Sequence, residues 1–279
     1  MSMQTEVTGW RSFWERGGWW RALLAVVAYF VIYQGVPLLF APLFPKTTDP
    51  AAEVWLFTVL PIAFGGLVLL AFAWSVGWTR ELFARQPISG RGWMWIAVAV
   101  VLVFNVLRFA SIDYTAAGAS LVLAWLVAGL CIGFAEEVLT RGLVVNLMRK
   151  GGARELVVAV VSAALFALMH SGNLLTGQAL FPTLMQLVYT FGFGILMYLA
   201  LRVTGNLIWP ILLHATTDPS IFLATAHPVA GPLPGIAGLG NIVVIIAGIG
   251  LLWAIRGSVN GASAAEAPAH MRHARPDGA

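Results

Sequence analysis

Eight stretches of this chain are apolar over lengths that match the thickness of a bilayer: residues 20–43, 54–77, 92–110, 120–148, 155–171, 182–203, 207–226 and 237–255. A helix needs about 20 predominantly apolar residues to cross ~30 Å of hydrocarbon. Inside that layer every backbone N–H and C=O must be paired within the protein, so the stretches are predicted to be helices. The fold class expected is all-α, a polytopic membrane protein of about eight transmembrane helices. Pro37, Pro42, Pro61 and Pro210 lie in or at the ends of the stretches, where a kink or a first-turn proline is compatible with a span. The segment around 79–91 reads as a charged loop or a short interfacial helix, and no internal repeat is visible.

Composition agrees with this pattern. The 279 residues are 59% hydrophobic and 10% charged, with mean hydropathy +0.86. Thirteen of the sixteen Arg and Lys residues fall on one side of the alternating loops, at Arg11, Arg16, Arg21, Arg80, Arg85, Arg91, Arg149, Lys150, Arg154, Arg202, Arg256, Arg272 and Arg275. The positive-inside rule assigns that side to the cytoplasm, with both termini inside a cytoplasmic (inner) membrane. Trp19, Trp20, Trp78, Trp93, Trp95 and Trp209 fall near span ends, as interfacial aromatic rings do. The positive charge is explained by orientation, and no basic cluster with interleaved aromatics points to nucleic acid. The single Cys131 excludes an internal disulfide. Residues 1–18 lack the short apolar core of a removable signal peptide and are expected to form a cytoplasmic N-terminal segment. Residues 19–256 are expected to form the eight-span domain. Residues 257–279, rich in Ala, Gly, Pro and His and including His270 and His273, are expected to be a disordered cytoplasmic tail.

Against this apolar background the ionisable residues inside spans stand out, since each costs about 3 kcal/mol at the bilayer centre on insertion scales. The fourth stretch carries Glu136, Glu137 and Arg141. Glu137 and Arg141 are i,i+4 on one helical face in the favourable order, whereas Glu136 points about 100° away. Arg141 therefore holds Glu137, and Glu136 stays available for proton chemistry; the competing reading is a structural ion pair beside a neutral Glu136. The fifth stretch carries His170. Glu136 lies 15 residues before the Gly151-Gly152 turn and His170 lies 18 after it, roughly 22 and 27 Å along antiparallel helices, so the two share a depth. The seventh stretch carries His214 and Asp218, again i,i+4, followed by Pro219, which is expected to kink the backbone. Arg108, near the end of the third stretch, can snorkel to the interface. These side chains predict an active-site cavity enclosed by the helices.

Two chemistries suit two His and three acids in such a cavity. A Glu and a neutral His can activate water while another polar group steadies an oxyanion. Alternatively His170, His214 and Asp218 or Glu136 hold a divalent metal such as zinc, with one position open for water. The sequence has no H-E-x-x-H, no G-x-S-x-G and no phosphate-cradling glycine loop.

The three motifs, E-E-x-x-x-R (Glu136, Glu137, Arg141), F-x-x-x-H (Phe166, His170) and H-x-x-x-D (His214, Asp218), in this order across residues 134–218, resemble the signature of the CAAX-prenyl-protease and bacteriocin-processing family of intramembrane endopeptidases. The resemblance implies a glutamate-dependent protease in which Glu136 and His170 activate water and His214 with the residue at 218 supports the oxyanion. It implies a membrane-embedded protein or peptide substrate and no required cofactor, with zinc as the alternative. Better-known eukaryotic members carry Asn at the last position. An ionised Asp218 cannot donate a hydrogen bond, so it must be protonated, orient His214 or bind a metal. Other classes are a proton-coupled transporter, a catalytically silent immunity or scaffolding member, and a membrane phosphatase. Arg exceeds Lys fourteen to two, which fits a bacterial source, where a literal prenylated substrate is not expected. The topology has a direct test in single cysteines introduced at Ala117, Thr176 and Ala230 after Cys131→Ser. They are expected to react with an impermeant maleimide from outside the cell, and labelling from the cytoplasm alone would overturn the orientation.

Overall fold

The computed structural model describes residues 9–40 and 43–259, with the side chains of 36–40 excepted, so the expectations for His270, His273 and most of the tail lie outside the described residues. In chain order the helices are α1 (Gly9–Glu15), α2 (Trp19–Phe40), α3 (Pro50–Ser75), α4 (Thr79–Phe83), α5 (Gly92–Ala110), α6 (Tyr114–Ala117), α7 (Ala119–Lys150), α8 (Glu155–Leu174), α9 (Leu180–Thr204), α10 (Ile208–Ala215), α11 (Thr217–Ala226) and α12 (Leu233–Leu252). No strand occurs among the described residues; an isolated bridge joins Ile112 and Pro228. Six helices, α3, α5, α7, α8, α9 and α12, are long and apolar enough to cross a membrane, and the chain is a multi-pass membrane protein.

The seventh expected stretch runs from one end of the bundle to the other but is broken where the kink was expected. Residues 207–226 form no continuous crossing helix but two short ones, α10 and α11, parted at Thr216. Pro219 has no N–H to give to the carbonyl of Ala215, and the break falls at that turn. Thr216 and Thr217 turn their hydroxyls back to the Leu213 carbonyl at 2.8 and 3.0 Å. Asn105 of α5 clamps the same turn, its amide nitrogen 2.9 Å from each threonine hydroxyl.

Small residues let α7 lie against this broken segment. A Cβ on Gly129 would stand 2.3 Å from the Ala215 carbonyl oxygen, and one on Gly133 would stand 2.7 Å from the Ala215 nitrogen. Without an apolar driving force between helices in lipid, such close backbone approach is a main source of attraction. It brings the third motif to the first.

The two ends of the bundle are tied separately. At one end Gly18 donates to the Leu147 carbonyl, Gln86 to Gly205 and Glu155 to Gly257. At the other end Asp113 donates to His227 and Val229 to Ser111. The first end carries the basic loops, and several of their charges are structural. Glu155, fully buried, takes Arg149 at 2.7 Å and Arg202 at 3.0 Å, together with the Tyr198 hydroxyl. Arg21 is also buried, donating to the Gly17 carbonyl. Three of the thirteen orienting charges are thus internal. Trp78 departs from the interfacial expectation as well, because it is 1% exposed beneath Lys150, whereas Trp19, Trp95 and Trp209 are exposed. Its indole N–H is held by Glu15, which also pairs with Lys150. Arg108 does not snorkel. It is 5% exposed and donates to Asn105 and Asn241.

The α7–α10 contact predicts that Gly133→Val lowers thermal stability in detergent, since overpacking costs roughly 1–3 kcal/mol or more. Gly250→Ala, whose added Cβ meets nothing within 4 Å, is the control and should be neutral. Equal melting temperatures for the two variants would contradict the close approach.

Candidate active site

The charged residues of α7 sit where its hydrogen bonding changes. Val138–Val144 is a π-helical segment, directly after Glu137. A π segment widens the helix and leaves carbonyls free to bond elsewhere. Here the Thr140 hydroxyl reaches the Glu136 carbonyl, and the Thr140 carbonyl accepts from Ser162 of α8 at 2.9 Å. The first motif is thereby fastened to the helix that carries the second.

Glu137 is completely buried and does not reach the cavity. One of its oxygens accepts from Arg141 Nη1 at 3.0 Å and from His214 Nδ1 at 2.7 Å. Arg141, 1% exposed, also donates through Nη2 to the Gly194 carbonyl of α9 and lies 4.7 Å from the centre of the Phe166 ring. The i,i+4 pair expected from the sequence is therefore present. It does more than neutralise a charge, because Glu137 fixes the imidazole of His214 from behind. A carboxylate can only accept, so Nδ1 of His214 carries a proton and Nε2 is turned the other way. That Nε2 is 3.5 Å from Glu136 and 3.7 Å from Asp218.

Glu136, His170 and Asp218 line one cavity of about 490 Å³. Its walls come from α2, α3, α7, α8, α9 and α11, among them Tyr29, Tyr33, Thr58 and Trp125. His214 is 2% exposed and lies behind Glu136 and Asp218 rather than on the wall. His170 closes the α-helical part of α8, its Nδ1 3.0 Å from the Phe166 carbonyl. Because a carbonyl accepts, that nitrogen is the N–H and Nε2 is left as an acceptor. Asp218 does not orient His214, since 3.7 Å is beyond hydrogen-bond range and Glu137 already fills that part. Among the described residues no three His, Cys, Asp or Glu side chains are grouped so as to hold a metal ion.

Phe166, named in the second motif, is central: its ring meets Arg141, stands edge-on to His170 at 5.0 Å and edge-on to His214 at 5.8 Å. Two further residues escaped the reading of the sequence. Phe193 of α9 closes the other side of His214 at 4.9 Å. Asn105 is the second, clamping the turn between His214 and Asp218; a lone amide one turn before Arg108 in an apolar span was the signal available.

A helical membrane bundle with carboxylates and imidazoles gathered at an internal cavity defines a class of multi-pass protein with a buried polar site. Within it, residues 118–220 match the family model described as Type II CAAX prenyl endopeptidase Rce1-like. The matched segment contains all three motifs and every polar site residue named above except Asn105, Arg108 and the cavity residues of α2 and α3. The match supports a membrane protease, the family to which the motifs pointed. A search of curated proteins finds no match.

The shared carboxylate makes a prediction about Glu137. Glu137→Gln leaves Arg141 without its counter-charge in a buried setting, where breaking a pair costs roughly 3–5 kcal/mol. Detergent-solubilised yield and thermal stability are expected to fall sharply. Adding Arg141→Met should restore yield in part with function still reduced, because a neutral amide oxygen holds the Nδ1–H of His214 less firmly than the carboxylate does. Recovery of both would show that the pair serves only charge balance.

Proposed function

We propose that the protein is an intramembrane endopeptidase of the cytoplasmic membrane of a bacterium, with both termini inside, cleaving membrane-associated proteins or peptides. The observation that carries this reading is the placement of Glu136, His170 and Asp218 on one cavity wall, with His214 set behind them by Glu137, inside a segment that matches a protease family.

In this reading a water in the cavity is held between Glu136 and Nε2 of His170. Glu136 takes one proton as the oxygen attacks the scissile carbonyl, giving a tetrahedral oxyanion. His214, with Nδ1–H bound to Glu137, presents Nε2–H to that oxyanion, and a protonated Asp218 donates beside it. Charge balance favours this state. Glu137 and Arg141 cancel, Glu136 and imidazolium His214 cancel, and a neutral Asp218 adds nothing to desolvate. Glu136 then passes its proton to the amine nitrogen as the C–N bond breaks, which regenerates the carboxylate.

Loss of the general base should cost roughly 10²-fold or more in cleavage rate. Glu136→Gln is expected to keep wild-type yield and melting temperature while losing cleavage, measured on the purified protein and by comparing membrane peptides of cells carrying wild type or Glu136→Ala. Undiminished cleavage by Glu136→Gln would refute the assignment.

A further inference from the structure

The cavity has a direction. Several of its wall residues outside the catalytic group sit at one end of their helices: Gln34 toward the end of α2, Phe57 and Thr58 in the early turns of α3, Asn173 and Thr176 at and beyond the end of α8, and Gln186 in the second turn of α9. These are the ends remote from Lys150, Glu15 and Glu81 and from Arg149, Glu155 and Arg202, which mark the basic end. Thr176 and Phe57 are exposed at the rim, and no side chain lining the cavity is Lys or Arg. Among the described residues its acidic groups are Glu136 and Asp218.

The rim also carries hydrogen-bonding groups with a fixed sense. Asn173 Nδ2 and Gln178 Nε2 both donate to Gln186 Oε1, at 2.8 and 3.0 Å. With that oxygen taken twice, the nitrogen of Gln186 and the oxygen of Asn173 remain as one donor and one acceptor. An extended peptide backbone offers the complementary pair at each residue.

We propose that the substrate enters from the end of the bundle opposite the arginine-rich loops. By the positive-inside rule this is the extracytoplasmic side. The substrate is a segment of a membrane or exported polypeptide reached from that side and held in extended form by the Asn173–Gln186 amide pair. This rests on the proteolytic reading of the cavity, but the side of access can be measured without turnover.

Full-length protein with Cys131→Ser and a single cysteine at Thr58, on the cavity wall, or at Arg85, in the basic loop, is placed in right-side-out and inverted membrane vesicles and treated with an impermeant maleimide. Thr58→Cys should react in right-side-out vesicles and lose that reaction in inverted ones, with Arg85→Cys the reverse. The same pattern is expected after Glu136→Gln, so a failed protease assignment and a failed access assignment give separate results. Labelling of Thr58→Cys from the cytoplasmic face overturns the proposal, whatever Arg85→Cys does. For the amide pair, Gln186→Leu should raise KM for a neutral internal peptide roughly threefold to tenfold, the worth of one hydrogen bond, with kcat held. An unchanged KM, or a fall confined to kcat, overturns the backbone-holding role.

Discussion

A single oxygen of Glu137, bonded at once to Arg141 and His214, is the constraint on which the arrangement of the site depends. A bare carboxylate in this setting would cost several kcal/mol to desolvate. It is tolerated because one cation comes from its own helix and an N–H comes from another. The guanidinium then spends a second donor on the Gly194 carbonyl and its flat face on Phe166. Four helices, α7, α8, α9 and α10, are thus tied through one buried pair. Displacing any of them breaks a bond that has no water to replace it.

This constraint separates two adjacent glutamates into different tasks. Glu137 is enclosed and positions an imidazole, whereas Glu136, one residue earlier, faces the cavity. The π segment beginning at Val138 makes the separation workable, since it lets Thr140 satisfy the Glu136 carbonyl and offer its own carbonyl to Ser162. The broken α10–α11 segment acts likewise on the other wall. Pro219 opens the backbone and Asn105 holds the opening, so His214 and Asp218 present side chains to the same small volume.

The Glu155 cluster shows the same rule at the basic end, with two arginines and a tyrosine paired to one carboxylate within the protein. Loop charge therefore has two components in this molecule, one that orients it in the membrane and one that locks helix ends. The topology argument survives the subtraction, because Arg16, Arg80, Arg85, Arg91, Arg154 and Arg256 still lie at that end.

Much was decided by the sequence alone. Runs of apolar residues gave helices, because lipid allows a spanning backbone little else. The i,i+4 spacing of Glu137 and Arg141 gave their pairing, because it is local helix geometry. The motifs were legible because charges are too costly to keep in spans without a use. Tertiary structure decided what spacing along one helix cannot. That Glu137 bonds His214, 77 residues away, depends on how closely α7 and α10 approach, which Gly129, Gly133 and the Pro219 break permit together. The same dependence broke the seventh stretch in two, buried Arg108 beside Asn105 and Asn241, and buried Trp78 under Lys150. Hydropathy records how much a residue dislikes water and is silent on which neighbour will satisfy it, so each of these outcomes waited on the packing of helices distant in sequence.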